Sequence, residues 1–305
     1  MRVLPQRFNK PELVLRPRAG ARRVAHHLFS GRSEGGERDV RLRWDMTLTV
    51  RPKDVIGRSI ASYGVFDLIL SETVFRLLDP GDHAADVGAN IGYVTGLMAR
   101  RAGPDGRVTA FEPHPAVRRL LEANVARWAS DSSVAAVDVR PVAVSNTGGS
   151  GTLVVSDAFA TNMGVARLDA REGGDVQLTT LDEAFGGDEL GLLKIDVEGH
   201  ELAVLEGGAA LFEAGRVRDV IFEDFGIYPT PLTEFLEARG YTVLSLDNTL
   251  SRPLARPAAD HPPRRGWEGP SYLATLEPAR VTDRLRLRGW AVLGVGRVEK
   301  SLARA

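Results

Sequence analysis

Apolar and polar positions alternate along the middle of this 305-residue chain in two distinct rhythms. Short apolar runs bounded by turn residues indicate buried strands, whereas longer stretches with apolar residues three or four positions apart indicate helices. Strands that alternate with helices predict an α/β fold, in which a doubly wound, mostly parallel sheet is covered by helices on both faces. The predicted strands are residues 84–87, 108–111, 137–144, 191–197, 217–222, 241–246 and 271–276, and the predicted helices are residues 91–100, 115–128, 199–212 and 231–239.

The segment before this core carries a weaker pattern. Residues 1–40 are rich in Arg, Gly and Pro, which predicts a poorly ordered or helical lead-in with one short helix near residues 22–29. Residues 41–50 alternate between apolar and polar positions, which predicts one half-buried strand. Residues 67–78 have apolar positions at helical spacing and predict a helix that stops at the Asp-Pro-Gly turn behind it.

Two later segments interrupt or follow the alternation. Residues 148–188 are long for a crossover, so we expect a hairpin or flap over the site, with strands at residues 152–156 and 175–180. Residues 251–269 are rich in Pro and Arg and predict a loop. The expected organisation is a lead-in of residues 1–40, one domain of residues 41–278, and a basic C-terminal tail or helix of residues 279–305.

Composition and charge are those of an ordinary globular protein. Hydrophobic residues make up 43% of the chain and charged residues 26%, and the formal net charge is −1, which argues against a general polyanion-binding surface. No cysteine occurs, which excludes disulfides and cysteine nucleophiles and fits a reducing compartment. No apolar run approaches the roughly twenty residues of a membrane span, and we see no secretory signal. We therefore expect a cytoplasmic protein with no membrane partner.

The most informative stretch is residues 84–92, where a short apolar strand ends in an acid and a glycine-containing turn opens a helix. Gly88 and Gly92 remove the Cβ atom where the backbone must turn tightly or let a ligand approach. A second apolar strand, residues 107–111, is followed by Glu112. In a doubly wound sheet, a glycine turn followed by an acid at the tip of the next strand holds an adenosine, whose ribose hydroxyls donate to the acid.

The cofactor class follows from what this turn lacks. A dinucleotide would favour G-x-G-x-x-G, whose middle glycine is absent here, and no G-x-x-x-x-G-K-[ST] cradle for a triphosphate occurs. Asp86, at the strand end, would repel phosphate but could receive the ammonium of an amino acid. S-adenosylmethionine carries such an ammonium and no phosphate, so the sequence predicts this cofactor. The alternative is that Asp86 only caps the following helix and that the glycines only turn the chain.

A second constellation lies at residues 192–201, where Lys194 and Asp196 interrupt an otherwise apolar strand. Buried charges are costly unless they are paired, so we place both side chains near the carboxyl end of the strand, beside the ligand crevice. The alternative is a mutual ion pair that only fixes strand register. His200 is a candidate general base or a solvent-facing first-turn residue. Glu223, at the end of the next strand, is a candidate acid or metal ligand.

At these residues the chain resembles the FkbM-type methyltransferases, a family within the Rossmann-like class I fold that uses S-adenosylmethionine. The resemblance extends from about residue 40 to residue 241, and the stretch 57–67 that leads into Glu72 also looks like the lead-in of the family. The motifs that carry it are Asp86-Val-Gly-Ala-Asn-Ile-Gly92, Phe111-Glu112-Pro113, Lys194-Ile-Asp-Val-Glu-Gly-His-Glu201 with Val204-Leu205 and Gly207-Gly208, and Ile221-Phe222-Glu223.

The resemblance implies roles by position. Asp196 would lie next to the transferred methyl group. The implied cofactor-binding set is Asp86, Gly88, Asn90 and Gly92 at the methionine end, Glu112 at the ribose, Val142 and Ala143 at the adenine, and Glu72 in the lead-in.

The resemblance also implies O-methylation of a hydroxyl on a small molecule, such as a sugar, a polyketide or another secondary-metabolite scaffold. The first candidate base is Asp196, with His200 as the alternative, Lys194 as an orienting or neutralising group, and Glu223 as a further catalytic candidate. A divalent cation on Asp196 and Glu223 is an alternative that the absence of a dense carboxylate or histidine cluster disfavours. Methylation of nitrogen and a nicotinamide-dependent oxidoreductase stay open. Nucleic acid is a disfavoured partner, and a homo-oligomer is compatible with the sequence.

Overall fold

Among the described residues, an eight-stranded sheet forms the centre of the protein. The computed structural model describes residues 11–15, 36–155, 166–169, 173–260 and 271–296, together with residues 298 and 302. The helix that we predict near residues 22–29 lies outside the described residues, as does most of the predicted lead-in.

The described strands are β1 Arg38–Arg41, β2 Thr47–Val50, β3 His83–Val87, β4 Arg107–Phe111, β5 Ala136–Arg140, β6 Ala143–Val144, β7 Gly149–Val155, β8 Ala166–Asp169, β9 Val176–Thr179, β10 Leu190–Ile195, β11 Val217–Glu223, β12 Thr242–Asn248, β13 Pro253–Pro257, β14 Ser271–Thr275, β15 Gly289–Trp290 and β16 Val295–Gly296.

The described α-helices are α1 Pro11–Val14, α2 Val55–Tyr63, α3 Leu68–Leu77, α4 Tyr93–Ala102, α5 Pro115–Trp128, α6 Leu181–Phe185, α7 Glu201–Glu206, α8 Ala209–Glu213, α9 Pro231–Glu237 and α10 Pro278–Leu285, and two 3₁₀ helices span Ala258–Asp260 and Ala291–Leu293. In this part of the chain, no helix combines the length and the apolar character needed to cross a bilayer.

The central sheet has the strand order β13-β12-β14-β11-β10-β3-β4-β5. Strands β11, β10, β3, β4 and β5 run parallel, and β14 is inserted antiparallel between β11 and β12. The chain proceeds outward from β3 in one direction and then returns to β10 on the other side, which makes a topological switch point where open α/β sheets bind ligands. The predicted α/β fold with a doubly wound, mostly parallel sheet is confirmed.

Consecutive residues of β10 face opposite sides of the sheet. Leu192 belongs to the apolar core that contains Leu97 of α4, whereas Leu193 belongs to the core that contains Leu205 of α7, and all four side chains are fully buried. A strand buried on both faces reads as an unbroken apolar run, and β10 does so until Lys194. The charge at that position is therefore an exception that the site must explain.

Residues 41–50 form a hairpin rather than the single predicted strand. β1 pairs antiparallel with β2, and the N–H of Leu42 donates to the carbonyl of Met46 at 2.7 Å around a turn in which Asp45 has a φ of 61°. The apolar alternation continues through the turn, so the pattern predicts burial correctly and misses the reversal of the chain. The buried set is Leu42, Trp44, Met46, Leu48 and Val50.

The predicted helix of residues 199–212 is two short helices, α7 and α8, separated by Gly207 and Gly208. A Cβ on Gly207 would lie 2.0 Å from the carbonyl oxygen of Ser145. The backbone packs so closely there that only glycine fits, and this long-range contact breaks the helix.

The predicted loop of residues 251–269 contains an edge strand. β13 pairs antiparallel with β12, and its prolines stand at its two ends, Pro253 and Pro257, which an edge strand tolerates. Residues 261–269 of the predicted loop lie outside the described residues.

Residues 279–296 of the predicted basic C-terminal tail or helix include the helix α10, and they pack against the core of the domain. Val281 and Leu285 of α10 and the indole of Trp290 are buried in the same core as α3 and α4. The basic residues of this segment alternate with apolar ones that form its buried face, so the charge of the segment alone does not reveal that it packs on the core. Apart from residues 298 and 302, the rest of the predicted tail lies outside the described residues.

Residues 148–188 contribute to a small second sheet with the strand order β6-β9-β7-β8. β7 pairs antiparallel with β9, which corresponds to the second predicted strand, and also with β8, which the sequence pattern does not predict. Residues 156–165 lie outside the described residues. The predicted strands at residues 152–156 and 175–180 correspond to parts of β7 and β9. That the hairpin covers the site stays a prediction.

Candidate active site

Four polar or glycine positions meet where neighbouring parallel strands end. Val87 of β3 lies opposite Phe111 of β4 and Ile195 of β10, and Ile195 lies opposite Phe222 of β11. This register brings the residues that follow to one edge of the sheet. They are Gly88, Glu112, Asp196 and Glu223.

The turn after β3 uses left-handed backbone at three positions. Gly88, Asn90 and Gly92 have φ values of 79°, 51° and 91°. A Cβ on Gly88 would lie 2.0 Å from the carbonyl oxygen of Asp196, and one on Gly92 would lie 2.6 Å from a methyl carbon of Leu121. Packing against the backbone therefore requires glycine at position 88, and the left-handed backbone favours glycine at both positions.

The backbone N–H groups of this turn are all engaged inside the protein. Those of Gly88 and Ala89 donate to the carbonyl of Phe111 at 3.1 and 3.0 Å, and that of Gly92 donates to Ala89 at 2.9 Å. The Asn90 N–H donates to the Glu112 carboxylate at 3.0 Å, and the Ile91 N–H donates to the Asn90 side chain at 2.8 Å. No N–H group of residues 88–92 is left to hold a phosphate.

Glu112 closes this turn from the neighbouring strand. Its second carboxylate oxygen accepts the N–H of His114 at 2.8 Å. Burial raises the pKa of Glu112 to about 7, against the N–H donors of His114 and Asn90, which lower it. A carboxylate oxygen has two lone pairs, so each oxygen of Glu112 retains one for a further donor such as a hydroxyl.

Lys194 lies between two carboxylates. Its Nζ donates to the carbonyl of Gly88 at 2.7 Å and lies 3.2 Å from Asp86 Oδ1 and 3.5 Å from Asp196 Oδ2. Burial acts to lower the pKa of Lys194, but the charges of Asp86 and Asp196 outweigh it and raise that pKa above its ordinary value. The ion pair that we weighed as an alternative role is thus present, and it includes Asp86 as well as Asp196.

Asp86 has no exposed surface. Its Oδ2 accepts the Thr95 hydroxyl at 2.6 Å, while its Oδ1 faces the Lys194 ammonium with the geometry of an ion pair rather than of a hydrogen bond. The visible role of Asp86 is to hold Lys194 and the first turn of α4. Direct contact of Asp86 with a ligand stays a prediction.

Glu223 lies among other acids at the same edge. Burial, followed by the charges of Asp196, Asp67 and Glu198, raises the pKa of Glu223 to about 8, and only Lys194 opposes them. Asp67 and Glu198 have φ values of 40° and 56°, so left-handed backbone directs both residues at this point. From the sequence, Glu198 is either a helix-start residue or a catalytic acid, whereas Asp67 is not singled out, because a positive φ at a non-glycine residue leaves no mark in an apolar pattern.

His200 contacts Ser145 rather than the acids at this edge of the sheet. It lies at the N-cap of α7, and its Nε2 is 2.9 Å from the hydroxyl of Ser145, which follows β6. Burial lowers the pKa of His200, against the charges of Glu201 and Glu206. This contact ties the loop after β10 to β6. Val142 is half-buried and Ala143 is buried, and they lie three and two positions before Ser145, beyond the carboxyl end of β5.

Glu72 is a predicted cofactor residue whose carboxylate is bonded within the protein, and its contact with a cofactor stays a prediction. Its side chain is fully buried on α3, its Oε1 accepts from Arg76 at 2.8 Å and from the Ala291 N–H at 3.0 Å, and its Oε2 accepts from the Val292 N–H at 3.1 Å. The carboxylate is thus bonded to Arg76 and to the C-terminal segment. Burial raises the pKa of Glu72.

The alternative of a bound divalent cation gains no support from side-chain geometry. Within the described part of the chain, no group of three or more His, Asp or Glu side chains is arranged to hold a metal ion. Asp196 and Glu223 lie at one edge, but a cation bound there would draw its remaining ligands from water or substrate.

The fold and the crevice together define a class of protein. A parallel sheet with one antiparallel strand inserted near its edge, and a carboxylate-lined crevice at its switch point, is the Rossmann-like class I methyltransferase fold. A family model described as the methyltransferase FkbM domain matches residues 86–243, just over half of the chain. The chain belongs to the FkbM methyltransferase family, and the protein is a methyltransferase.

Two curated relatives each match about half of the chain. The methyltransferase sdnD of Sordaria araneosa is 31% identical over 192 residues, which cover 52% of this chain and 73% of sdnD. The AMB antimetabolite synthetase AmbE of Pseudomonas aeruginosa is 30% identical over 189 residues, which cover 48% of this chain but 8% of AmbE. The chain therefore corresponds to a small part of AmbE.

Solved structures match at low identity. The methyltransferase FkbM from Methylobacillus flagellatus matches with a TM-score of 0.41 and 16% identity, covering 72% of this chain and 59% of that chain. Fibrillarin from Aeropyrum pernix, solved with natively bound S-adenosyl-L-methionine, matches with a TM-score of 0.37 and 15% identity, covering 81% and 86%. At these scores neither structure bears on the crevice of this protein.

Proposed function

We propose that the protein transfers a methyl group from S-adenosylmethionine to a hydroxyl oxygen of a small molecule. The observation that carries this proposal is the turn of residues 88–92, in which every backbone N–H already has an acceptor inside the protein. Pyrophosphate and triphosphate cofactors need such N–H groups free, because these groups neutralise their charge. A nucleoside cofactor without phosphate does not, which argues against a nicotinamide dinucleotide.

The residues at this edge fit the chemistry of the proposed cofactor. Glu112 has lone pairs left for ribose hydroxyls, and Gly88 and Asn90 are half-exposed beside it, where the methionine end would lie. Val142 and Ala143 would line the adenine. When bound, S-adenosylmethionine supplies an electrophilic methyl group at its sulfonium centre.

Asp196 is the candidate base for the acceptor hydroxyl. Its side chain is 39% exposed, so an acceptor can reach it, while the Lys194 ammonium holds its carboxylate from the buried side. Removing the proton as the oxygen attacks would contribute about two to four powers of ten to the rate. His200 is the weaker candidate, since its Nε2 already contacts Ser145.

The acids at the crevice also favour a second candidate, methylation of an amine. Asp67, Asp196, Glu198 and Glu223 would attract a cationic acceptor. A carboxylate environment also keeps an amine protonated and therefore unreactive, which is why we place the hydroxyl first. A small-molecule acceptor of either kind agrees with the name of one relative, an antimetabolite synthetase.

Isothermal titration calorimetry tests the cofactor. We expect S-adenosylmethionine and S-adenosylhomocysteine to bind the purified protein, and NADH to release no heat. Binding of NADH in place of both sulfur nucleosides would contradict the proposal. Mass spectrometry of products from methyl-labelled cofactor then distinguishes a methyl ether from a methylamine.

Asp196→Asn tests the base. We expect turnover to fall by about 10² to 10⁴, because the amide cannot accept the proton, while the affinity for S-adenosylhomocysteine is retained. The control is Asp283→Asn, which removes an exposed carboxylate paired with Arg286 on the far side of α10. If Asp196→Asn kept full turnover, the base would be another residue.

A further inference from the structure

The side chains of Phe225 and Ile227 are large, apolar and exposed to solvent at the rim of the crevice. They are 68% and 74% exposed, the highest values among the large hydrophobic residues in the described part of the chain. They follow Glu223, the last residue of β11, by two and four positions. The loop that carries them therefore starts at the edge of the sheet where the candidate catalytic acids lie.

This loop is held at both ends. Asp224 is buried, and its carboxylate accepts the N–H of Gly226 at 2.8 Å and the hydroxyl of Thr230, which caps α9. Between them, the Tyr228 hydroxyl donates to Glu237 at 2.9 Å. The exposure of Phe225 thus belongs to an anchored loop, and little conformational entropy would be lost if a ligand covered it.

In the described part of the chain, acids outnumber cations around Glu223, beside this loop. Glu223 experiences the charges of Asp196, Asp67 and Glu198. The Lys194 ammonium is already in contact with two carboxylates and one carbonyl, and so it offers little to an external anion. A phosphate or carboxylate on the acceptor would be repelled here, whereas a neutral or cationic group would not.

We propose that Phe225 and Ile227 bind the apolar body of the methyl acceptor, and that this acceptor carries no negative charge next to its reacting atom. The inference rests on the proposed function, since it concerns the acceptor of the same crevice. It assigns the acceptor to neutral or cationic molecules with an apolar part, and it excludes phosphorylated ones. Large exposed apolar side chains at the rim of a site are a common basis for such recognition.

Three matched probes test the proposal. Octyl glucoside, octylammonium and octyl phosphate share one apolar chain and differ in charge, and each is titrated below its micelle-forming concentration by NMR, with and without S-adenosylhomocysteine. We expect the first two to bind, and octyl phosphate to bind at least about tenfold more weakly at low ionic strength. In Asp196→Asn, which removes a carboxylate from this edge of the sheet, we expect this discrimination to shrink.

A pair of substitutions tests the apolar surface. In the double variant Phe225→Ser with Ile227→Ser, we expect the affinity for octyl glucoside and octylammonium to fall about tenfold, because the apolar contact is lost. The control is Val154→Ser with Val155→Ser on β7, an apolar pair that is 53% and 44% exposed and lies on the small sheet. Urea unfolding checks that each variant is folded. If the double variant is not folded, the single variants Phe225→Leu and Ile227→Val replace it in the binding measurements.

Three outcomes would overturn the proposal. Octyl phosphate could bind as tightly as octylammonium, or both serine pairs could have equal effects on probe binding. Alternatively, the Phe225 and Ile227 variant could change the sedimentation of the protein while leaving probe affinities unchanged, which would make the pair a contact between copies of the chain. Failure of the proposed function would give a different result, because S-adenosylhomocysteine would then not bind. The titrations of the octyl probes without S-adenosylhomocysteine would still test the apolar surface.

Discussion

The Glu72–Arg76 and Asp86–Lys194 ion pairs are both buried, yet different partners surround them. Glu72 and Arg76 lie one turn apart on α3 and are each 0% exposed. Asp86 and Lys194 lie opposite each other on the adjacent strands β3 and β10, with side-chain exposures of 0% and 5%. Burial of a charge is costly in both places, so each pair must recover that cost through its contacts.

The Glu72–Arg76 pair makes its contacts with groups inside the protein. Besides its bond to Glu72, Arg76 donates to the carbonyls of Arg284, Leu287 and Gly289 at 2.8 to 2.9 Å. Glu72 in turn accepts two backbone N–H groups of the same segment. The pair therefore fixes the C-terminal segment on α3.

The second pair continues to the surface. Lys194 also contacts Asp196, whose side chain is 39% exposed, and Asp196 lies beside Glu223. The Glu72–Arg76 pair thus stabilises the fold, because its donors and acceptors are bonded inside the protein. The Asp86–Lys194 pair also contacts Asp196, a carboxylate that is accessible from the crevice. Three substitutions test this contrast.

Arg76→Met should have the largest effect on stability. It leaves the Glu72 carboxylate and three carbonyls without their donor, so we expect the free energy of unfolding to fall by about 3–5 kcal/mol. Urea unfolding followed by tryptophan fluorescence measures it. Arg41→Ala, which breaks an exposed pair with Asp45, is the control and should change the free energy by about 0.5 kcal/mol or less. A loss as small as the control's would mean that this pair does not fix the segment.

Lys194→Met should cost function as well as stability. It leaves the fully buried Asp86 carboxylate without the Lys194 ammonium, whereas water can reach the exposed side of Asp196, so we expect the free energy of unfolding to fall by about 3 kcal/mol, together with a loss of turnover. The same unfolding assay and a labelled-methyl assay measure the two. If Lys194→Met destabilised the protein as much as Arg76→Met while retaining turnover, the proposed contrast would be reversed.

Glu223→Gln should have the smallest effect, visible as a change in pH dependence. Burial raises the pKa of Glu223 to about 8 from an ordinary 4.5. A raised carboxyl pKa gives stability that is complete below about pH 4.5 and is lost as the pH rises through 8. Between pH 6 and pH 9 we expect the parent to lose about 1–2 kcal/mol more than the variant.

The control for this measurement is Glu213→Gln, which removes a carboxylate that is 67% exposed. It should follow the pH dependence of the parent. If the free energy of unfolding changed with pH in the same way for the parent and for Glu223→Gln, the charges at this edge of the sheet would not affect the pKa of Glu223.

Periodicity predicts the central elements well, because their burial repeats within each segment. Residues 115–128 form the predicted helix α5 without change, and β3, β4, β10 and β11 lie within two residues of their predicted bounds. The predicted strand of residues 137–144 instead divides into β5 and β6, which belong to different sheets. The candidate residues after β3, β4, β10 and β11 meet at one edge, since parallel strands end together. Local pattern and register determine this much.

The remaining features depend on contacts between distant segments. The hairpin of residues 41–50 keeps an unbroken apolar alternation, so nothing local marks its turn. The break at Gly207 depends on the carbonyl of Ser145, more than sixty positions earlier. Glu72 matches a motif position, but its carboxylate is bound by residues about 220 positions later, which no spacing within a motif reveals.

The insertion of β14 between β11 and β12 sets the shortest piece of this chain that can fold. The family match ends at residue 243, before β13, β14 and α10. A polypeptide cut there would end at the second residue of β12, expose the edge of β11 and remove the carbonyl acceptors of Arg76. Recombinant fragments and domain transplants should therefore retain the sequence through residue 296, well past the limit that homology alone would suggest.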